Sequence, residues 1–337
     1  MATLDIFNND AFRVSALIDT ITDIPRVPTQ IRDEGLFTEY GIMTPTVMIE
    51  RQGKELNLVP TAPRGAPGQP VARTGRKMIP MAAVHLPQDG AVMADKVYGV
   101  REFGSETAVM QVQSLVRAEL ATMRENTDYT IEHMMINAIK GVVVDADGST
   151  PIWDMYSIFG FTQETLYWNI ATNNTTVDLK QFCVNLKRSI RNSLGGRTFT
   201  GVRVKCSEGF FDKLVGHNQM KAAWDRWNNG SFLRSDQTVA DFEFAGVVFQ
   251  IYSGGSNSGD FVADGLAYAY PTGVSRMFHA AFAPADYMET VNTMGVPYYA
   301  KQERMKFDKG VELESQSNPL IFNKYPEAVK KLSVAAS

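Results

Sequence analysis

Between Ser105 and Lys140 the chain carries one helical pattern far longer than a compact domain needs. Val109, Val112, Leu115, Val116, Leu120 and Met123 keep helical spacing, which places them on one face of an α-helix. The stripe pauses at the polar stretch Arg124–Tyr129 and resumes at Ile131, Met134, Met135, Ala138 and Ile139. Ser105 predicts an N-cap, Glu106 suits the positive helix end, and Lys140-Gly141 predicts a stop. One helix over this span would be about 54 Å long at 1.5 Å per residue, several times the usual length. Such a rod is poorly buried by its own chain.

The flanking segments share that property. In residues 1–35, Phe7, Phe12, Val14, Leu17, Ile18, Ile21 and Ile24 form a loose apolar series ended by Pro25 and Pro28. The spacing of Leu17, Ile18 and Ile21 predicts a short helix, marginal alone, so this arm is expected to order against a partner surface. Residues 43–60 read as a hairpin, with Val47 and Ile49 on one strand and Leu56 and Leu58 on the other. Arg51-Gln52-Gly53-Lys54 would supply the turn. The next stretch, 61–77, excludes regular structure through Pro63, Pro67 and Pro70, and loses stiffness through Gly65, Gly68 and Gly75. It carries Arg64, Arg73, Arg76 and Lys77 and no acid. A loop this long is usually functional or disordered.

After the long helix the pattern is mixed. A short strand (Val142–Val144), the turn Asp145-Ala146-Asp147-Gly148 and an aromatic-rich strand pair (Trp153 to Trp168) come first. Asp178–Leu194 predicts an amphipathic helix with Leu179, Phe182, Cys183, Leu186 and Ile190 on one face. Gly201–Cys206 reads as a strand, Gly209–Trp227 as a helix, and Phe242–Tyr252 and Phe261–Tyr270 as strands. Alternating helix and strand over 176–285 predicts a separate α/β lobe. The tail, 297–335, reads as strand-rich with a helical end at Pro326–Leu332.

Composition removes several function classes. The 337 residues suit one or two domains. With 44% hydrophobic and 21% charged residues the chain can bury a sizeable core. The net charge of −4 argues against a protein that coats nucleic acid. Two cysteines, Cys183 and Cys206, are too few for a disulfide scaffold or a Cys-rich zinc site, and as buried free thiols they fit core packing. His85, His133, His217 and His279 show no metal-ligand spacing. No signal peptide is expected from MATLDIFNNDAFRV, and no apolar run is long enough to span a membrane. Asp145-x-Asp147-Gly148 lacks the later bidentate acid of a calcium loop and reads as an Asp-capped turn. Phosphate-loop, dinucleotide and nucleophile-elbow motifs are absent. Trp224 and Trp227 read as core rather than as a base-stacking platform. No catalytic, cofactor-binding or metal residue is expected, and the chain reads as an assembly subunit rather than an enzyme.

The residues also resemble a known family, the major capsid (head) proteins of tailed phages of the lambda-like protein E type. The resemblance is carried by Leu36-Phe37, Thr44–Glu50, Leu56–Pro60, Pro63-Arg64-Gly65 and Gly68. It continues through His85-Leu86-Pro87, Met93-Ala94-Asp95, Arg101-Glu102-Phe103-Gly104, and Ile139-Lys140-Gly141 leading into Asp145-Ala146-Asp147-Gly148. It runs from about residue 15 to 332.

The resemblance implies an α+β chain of the Hong Kong ninety-seven-type phage capsid fold. That fold has an N-terminal arm, an E-loop hairpin, a peripheral domain on a long spine helix, and an axial α/β domain. The corresponding spans would be 1–35 for the arm, 36–104 for the E-loop and flanking strands, 105–175 for the peripheral domain, 176–285 for the axial domain, and 286–337 for peripheral return strands. It implies hexamers and pentamers of this chain enclosing packaged double-stranded DNA, which the shell meets by non-specific proximity. Further implied partners are a separate scaffolding protein, a portal and a decoration or cement protein, with no cofactor and no membrane. Assembly would take place in the host cytoplasm. Arg64, Arg73, Arg76 and Lys77 would sit at the E-loop tip and touch a neighbouring subunit. Gly65, Gly68 and Gly75 would let the loop swing, and Leu115, Leu120, Met123 and Met134 would pack the spine helix. Two other readings stand beside this one: a nucleic-acid-binding protein that places the 61–77 loop on phosphates, and a hydrolase with an unrecognised site.

Overall fold

A computed structural model of the chain describes residues 13–25, 29–51, 77–97, 108–170, 177–221, 242–256 and 259–335. The first half contains α1 (Val14–Asp23), α2 (Gln30–Asp33), β1 (Thr38–Gly41), β2 (Thr46–Arg51), β3 (Lys77–Ala82), β4 (Leu86–Met93), α3 (Ala94–Val97) and α4 (Ala108–Lys140). Then come β5 (Val142–Val144), β6 (Pro151–Asp154), α5 (Met155–Phe159), β7 (Thr165–Tyr167), α6 (Leu179–Ser193), β8 (Gly201–Cys206) and α7 (Glu208–Gly216). The rest is all strand apart from 3-10 turns: β9 (Phe242–Phe244), β10 (Val247–Ile251), β11 (Gly255–Ser256), β12 (Gly259–Asp260), β13 (Leu266–Thr272) and β14 (Phe278–Phe282). It ends with β15 (Tyr299–Arg304), β16 (Gly310–Ser317), β17 (Pro319–Asn323) and β18 (Lys330–Ser333). The chain divides into two compact units: Met1–Val47 with Pro80–Glu132 and Ala280–Ile321, and Met48–Ile79 with His133–His279 and Phe322–Ser337.

The long helix forms without a break through the polar stretch, as the single 33-residue element α4. The expected cap Ser105 lies outside the described residues. At the other end Gly141 takes φ 91°, and its N–H donates to the carbonyls of Asn137 and Ala138 at 2.9 and 3.2 Å. This is the left-handed stop that glycine permits without a Cβ penalty.

In the first unit the sheet β15–β16–β4 is antiparallel throughout. Its Leu313 and Val311 lie opposite Gly90 and Val92. The Met123 Cε of α4 sits only 2.3 Å from where a Cβ on Gly90 would be, so the missing side chain lets the helix close on the sheet. Leu120 is fully buried on the same helix. Leu120→Ala is therefore expected to lower unfolding stability by about 2–5 kcal/mol, read from denaturant midpoints. A wild-type midpoint would show that the buried face has been misidentified.

In the second unit six strands run in the order β7–β18–β13–β8–β10–β9. The β8–β10 and β18–β7 pairs are parallel, and the others are antiparallel. Trp168 is fully buried. Its ring lies 5.8 Å from Phe182 of α6 and 5.9 Å from both Phe210 of α7 and Phe249 of β10, so one aromatic core joins helices and sheet.

Several expected elements differ. β2 pairs with β3; the turn expected at Gln52-Gly53-Lys54 and the strand expected at Leu56–Leu58 lie outside the described residues. β3 contains Pro80, which a two-stranded ribbon with free edges tolerates. The Trp153–Trp168 strand pair is instead β6, a helical turn and β7. Asp154 caps that turn by accepting from the N–H groups of Tyr156 and Ser157, and Gly160 closes it at φ 73°. The helix expected over Gly209–Trp227 breaks at His217, which is extended; its last residues lie outside the description. Phe242–Tyr252 is two strands, because Ala245 and Gly246 both take positive φ (50° and 72°) and turn the chain. The strand expected from Phe261 begins only at Leu266. The helical end at Pro326–Leu332 is a single 3-10 turn (Pro326–Ala328) followed by β18, since β13 and β7 both hydrogen-bond to that segment.

Candidate assembly elements and a buried polar network

The residues singled out in the sequence separate into three groups. Arg64, Gly65, Gly68, Arg73, Gly75 and Arg76 lie outside the described residues, and Lys77 is the first residue of β3. The ribbon that carries this segment exposes apolar side chains, with Met48 56% and Met78 60% accessible. Leu120, Met123 and Met134 are buried on α4, and Leu115 is half-buried. Met134 belongs to the second unit and the other three to the first.

The candidate chemical residues are held in structural roles. Cys183 and Cys206 are buried free thiols; burial pushes Cys183 up to about 12 and Cys206 further still, so neither offers a reactive thiolate near neutral pH. The His133 ring lies 4.5 Å from the Phe261 ring and bonds Asn137 at 2.9 Å. His279 stacks on Phe322 with centroids 4.9 Å apart. Burial lowers the pKa of both rings. Asp147 accepts from Thr150 Oγ1, from the backbone N–H groups of Thr150 and Ser149, and from Ser149 Oγ. These bonds hold its carboxyl well below the usual range and make it the cap of an exposed turn. No group of three or more potential metal ligands occurs among the described residues.

The polar stretch that interrupts the α4 stripe does something the periodicity did not reveal. Arg124, Asp128 and Glu132 fall four residues apart, hence on one helix face, and all three are buried in the first unit. Glu132 accepts from the backbone N–H groups of Ile31 and Arg32 at 2.8 and 3.2 Å, capping the start of α2. Asp128 accepts from Arg32 Nη1 at 2.9 Å and from the Tyr298 hydroxyl. Arg32 completes a two-pronged pair with Glu39 at 2.7 and 3.0 Å and donates to the Tyr298 oxygen at 2.7 Å. Arg124 lies 3.6 Å from the second Asp128 oxygen and 4.5 Å above the Tyr298 ring. It donates to the end carbonyls of α1, Ile21 O and Thr22 O. Burial would lower the Arg32 pKa, but Glu39 and Tyr298 outweigh it and raise it. Burial pushes the Tyr298 hydroxyl up to about 12.

This network ties the end of α1, the start of α2 and Glu39 to the long helix through charges and hydrogen bonds, beside the buried Ile21 and Ile31. The available signal was the charged set spaced by four where the apolar stripe stops. Its partners, about a hundred residues earlier in the chain, had no local trace.

The sheet β15–β16–β4 has a second face, turned away from α4. In-register pairing sets Glu303 opposite Glu312 and Asp89 opposite Glu314, with Lys301 beside them. These residues line a cavity of about 510 Å³. Four carboxylates against the one lysine leave this lining with an excess of negative charge, and like charges directly opposed are destabilising.

Known proteins agree with this arrangement over nearly the whole chain. The profile of the family described as phage major capsid protein E matches residues 13–334. The major capsid protein of Salmonella phage Felix O1 is 24% identical over 352 residues, covering 94% of each chain. That of Pseudomonas phage KPP10 is 24% identical over 339 residues, covering 95% of this chain and 96% of its own. Among solved structures, the mature capsid of bacteriophage PhiM1 superposes with a TM-score of 0.52 at 11% identity, covering 92% of this chain and 88% of that one. The fold is therefore the Hong Kong ninety-seven-type capsid fold, in a mixed helix-and-sheet chain. With its sequence matched from residue 13 to residue 334, the chain belongs to the phage major capsid protein E family, the structural proteins of the virion capsid.

Proposed function

We propose that this chain is the repeating subunit of an icosahedral head shell, forming hexamers and pentamers that close around packaged double-stranded DNA. The observation that carries the reading is the β2–β3 ribbon. It is a two-stranded sheet that leaves Met48 and Met78 exposed and leads into the acid-free basic stretch 61–77. A two-stranded ribbon is marginal in water, and its exposed apolar surface fits an element covered by another copy. The role is structural and not catalytic.

In this reading residues 1–35 are the arm, 36–104 the E-loop region, and 105–175 with 286–337 the peripheral domain. The axial domain is 176–285, to whose six-stranded sheet β7 and β18 also contribute. A separate scaffolding protein, a portal and a decoration protein are the other proteins this reading calls for. The net charge of −4 suits a shell that must release DNA, since a strongly basic interior would bind phosphates too tightly.

The purified protein, alone and with scaffold, is expected to form rings, shells or tubes with rising concentration, seen by negative-stain microscopy and sedimentation. A strict monomer under all salt and concentration conditions, with and without scaffold, overturns the reading.

A further inference from the structure

Helix α6 carries cations and no acid. Leu179, Cys183, Leu186 and Ile190 form its buried face. Lys180, Val184, Arg188 and Arg191 follow one another at helical spacing, so they share another face. The three cations on it are exposed, and the whole helix lacks Asp and Glu. The acids that adjoin α6 are already engaged. Asp178 caps the helix by accepting from the Gln181 N–H at 3.2 Å. Glu164, which accepts from Ser189 Oγ at 3.1 Å, is paired with Lys330. Among the described residues no carboxylate pairs with Lys180, Arg188 or Arg191. A solvent face normally mixes both signs, so this one is an uncompensated positive stripe in a chain of net charge −4.

The opposite charge sits on the face of β15–β16–β4 turned away from α4. Asp89, Glu303 and Glu312 are exposed and Glu314 is half-buried. Lys301, the one cation lining the cavity between them, is paired with Glu289 at 3.0 Å. The dimensions of the two patches agree. Glu303 and Asp89 stand on the outer strands, two strand spacings and one two-residue step apart, which is about 12 Å across the sheet. Lys180 and Arg188 are about 12 Å apart along the helix.

α6 belongs to the second unit and this sheet to the first. A contact between two different surfaces of identical chains is heterologous, and repeated around an axis it closes a ring. Rings are what hexamers and pentamers require, and a twofold pairing of identical faces would not supply them.

We infer that the cationic face of α6 docks on the carboxylate face of β15–β16–β4 in a second copy of this chain, with Lys180, Arg188 and Arg191 facing Asp89, Glu303, Glu312 and Glu314. The inference rests on the shell reading and names one contact within it. Complementary charge of this kind selects the partner face and its direction, and arginine can grip a carboxylate with two parallel hydrogen bonds.

The test is charge exchange in the full-length chain, read by sedimentation without DNA. Lys180→Glu with Arg188→Glu gives a subunit whose helix and sheet faces are both acidic. Glu303→Lys with Glu312→Lys gives one whose faces are both basic. All four positions are exposed, so both variants are expected to keep the wild-type denaturant midpoint. Each alone is expected to lower the assembled fraction about ten-fold or more, because like charges now meet across the contact. Mixing the two is expected to restore association, since each acidic face then meets a basic one on the other variant, and the chain carrying all four changes is expected to assemble on its own. Wild-type assembly by either variant alone, or no recovery in the mixture and in the four-fold variant, overturns the contact while leaving the shell reading in place. Normal empty shells from Lys180→Glu with Arg188→Glu that fail only to retain DNA overturn it as well and put α6 on phosphate. A wild type that stays monomeric overturns the shell reading and the contact with it.

Discussion

Asp128→Ala is expected to lower unfolding stability by about 3–5 kcal/mol, the usual effect of removing one partner from a buried ionic pair. Asp128 is 1% accessible and faces two guanidinium groups, Arg32 at 2.9 Å and Arg124 at 3.6 Å. Alanine would leave both cations in a low-dielectric interior with less compensation. Arg32 keeps Glu39, and Arg124 keeps two carbonyls and the Tyr298 ring. Arg124 therefore loses its carboxylate partner, and the α1 end that it holds should loosen first. Glu39→Gln is the contrast, because Glu39 is a third exposed and water can screen its loss. Its effect should stay near 0–1 kcal/mol, as for surface pairs. Denaturant midpoints of both variants, with amide exchange at Ile21–Glu39, provide the measurement. If Asp128→Ala falls within about 1 kcal/mol of wild type, the network does not anchor the arm.

Reversing two charges in the basic segment, Arg73→Glu with Arg76→Glu, should abolish or strongly weaken shells while leaving the subunit folded. Folding is expected to survive because both changes fall in a proline- and glycine-rich stretch with no apolar periodicity. A single exposed ion pair contributes only about 0–1 kcal/mol, yet a closed shell repeats the contact at every subunit, and arginine binds carboxylate in two-pronged fashion. The Asp89, Glu303, Glu312 and Glu314 face shows that the subunit offers carboxylates in unbalanced number. Sedimentation of DNA-free assemblies decides the matter. Equal empty shells from wild type and variant, differing only in DNA retention, would place the loop on nucleic acid instead of on a neighbouring subunit.

What the residues determined alone is what short range can encode. The α4 stripe, its stop at Gly141, the Asp178-capped α6 and the burial of both thiols all depend on neighbours within a few positions, where spacing and capping act directly. The tertiary structure decided the rest. Arg124 and Asp128 read locally as an interruption, because their partners Ile21 and Arg32 arrive from about a hundred residues away. β18 read as a helix end until β13 and β7 offered it hydrogen bonds. β2 pairs with β3, a segment about thirty residues further along the chain. In each case backbone groups and charges must be satisfied somewhere once buried. Which distant segment satisfies them is settled by the packing of the whole unit, not by any local preference.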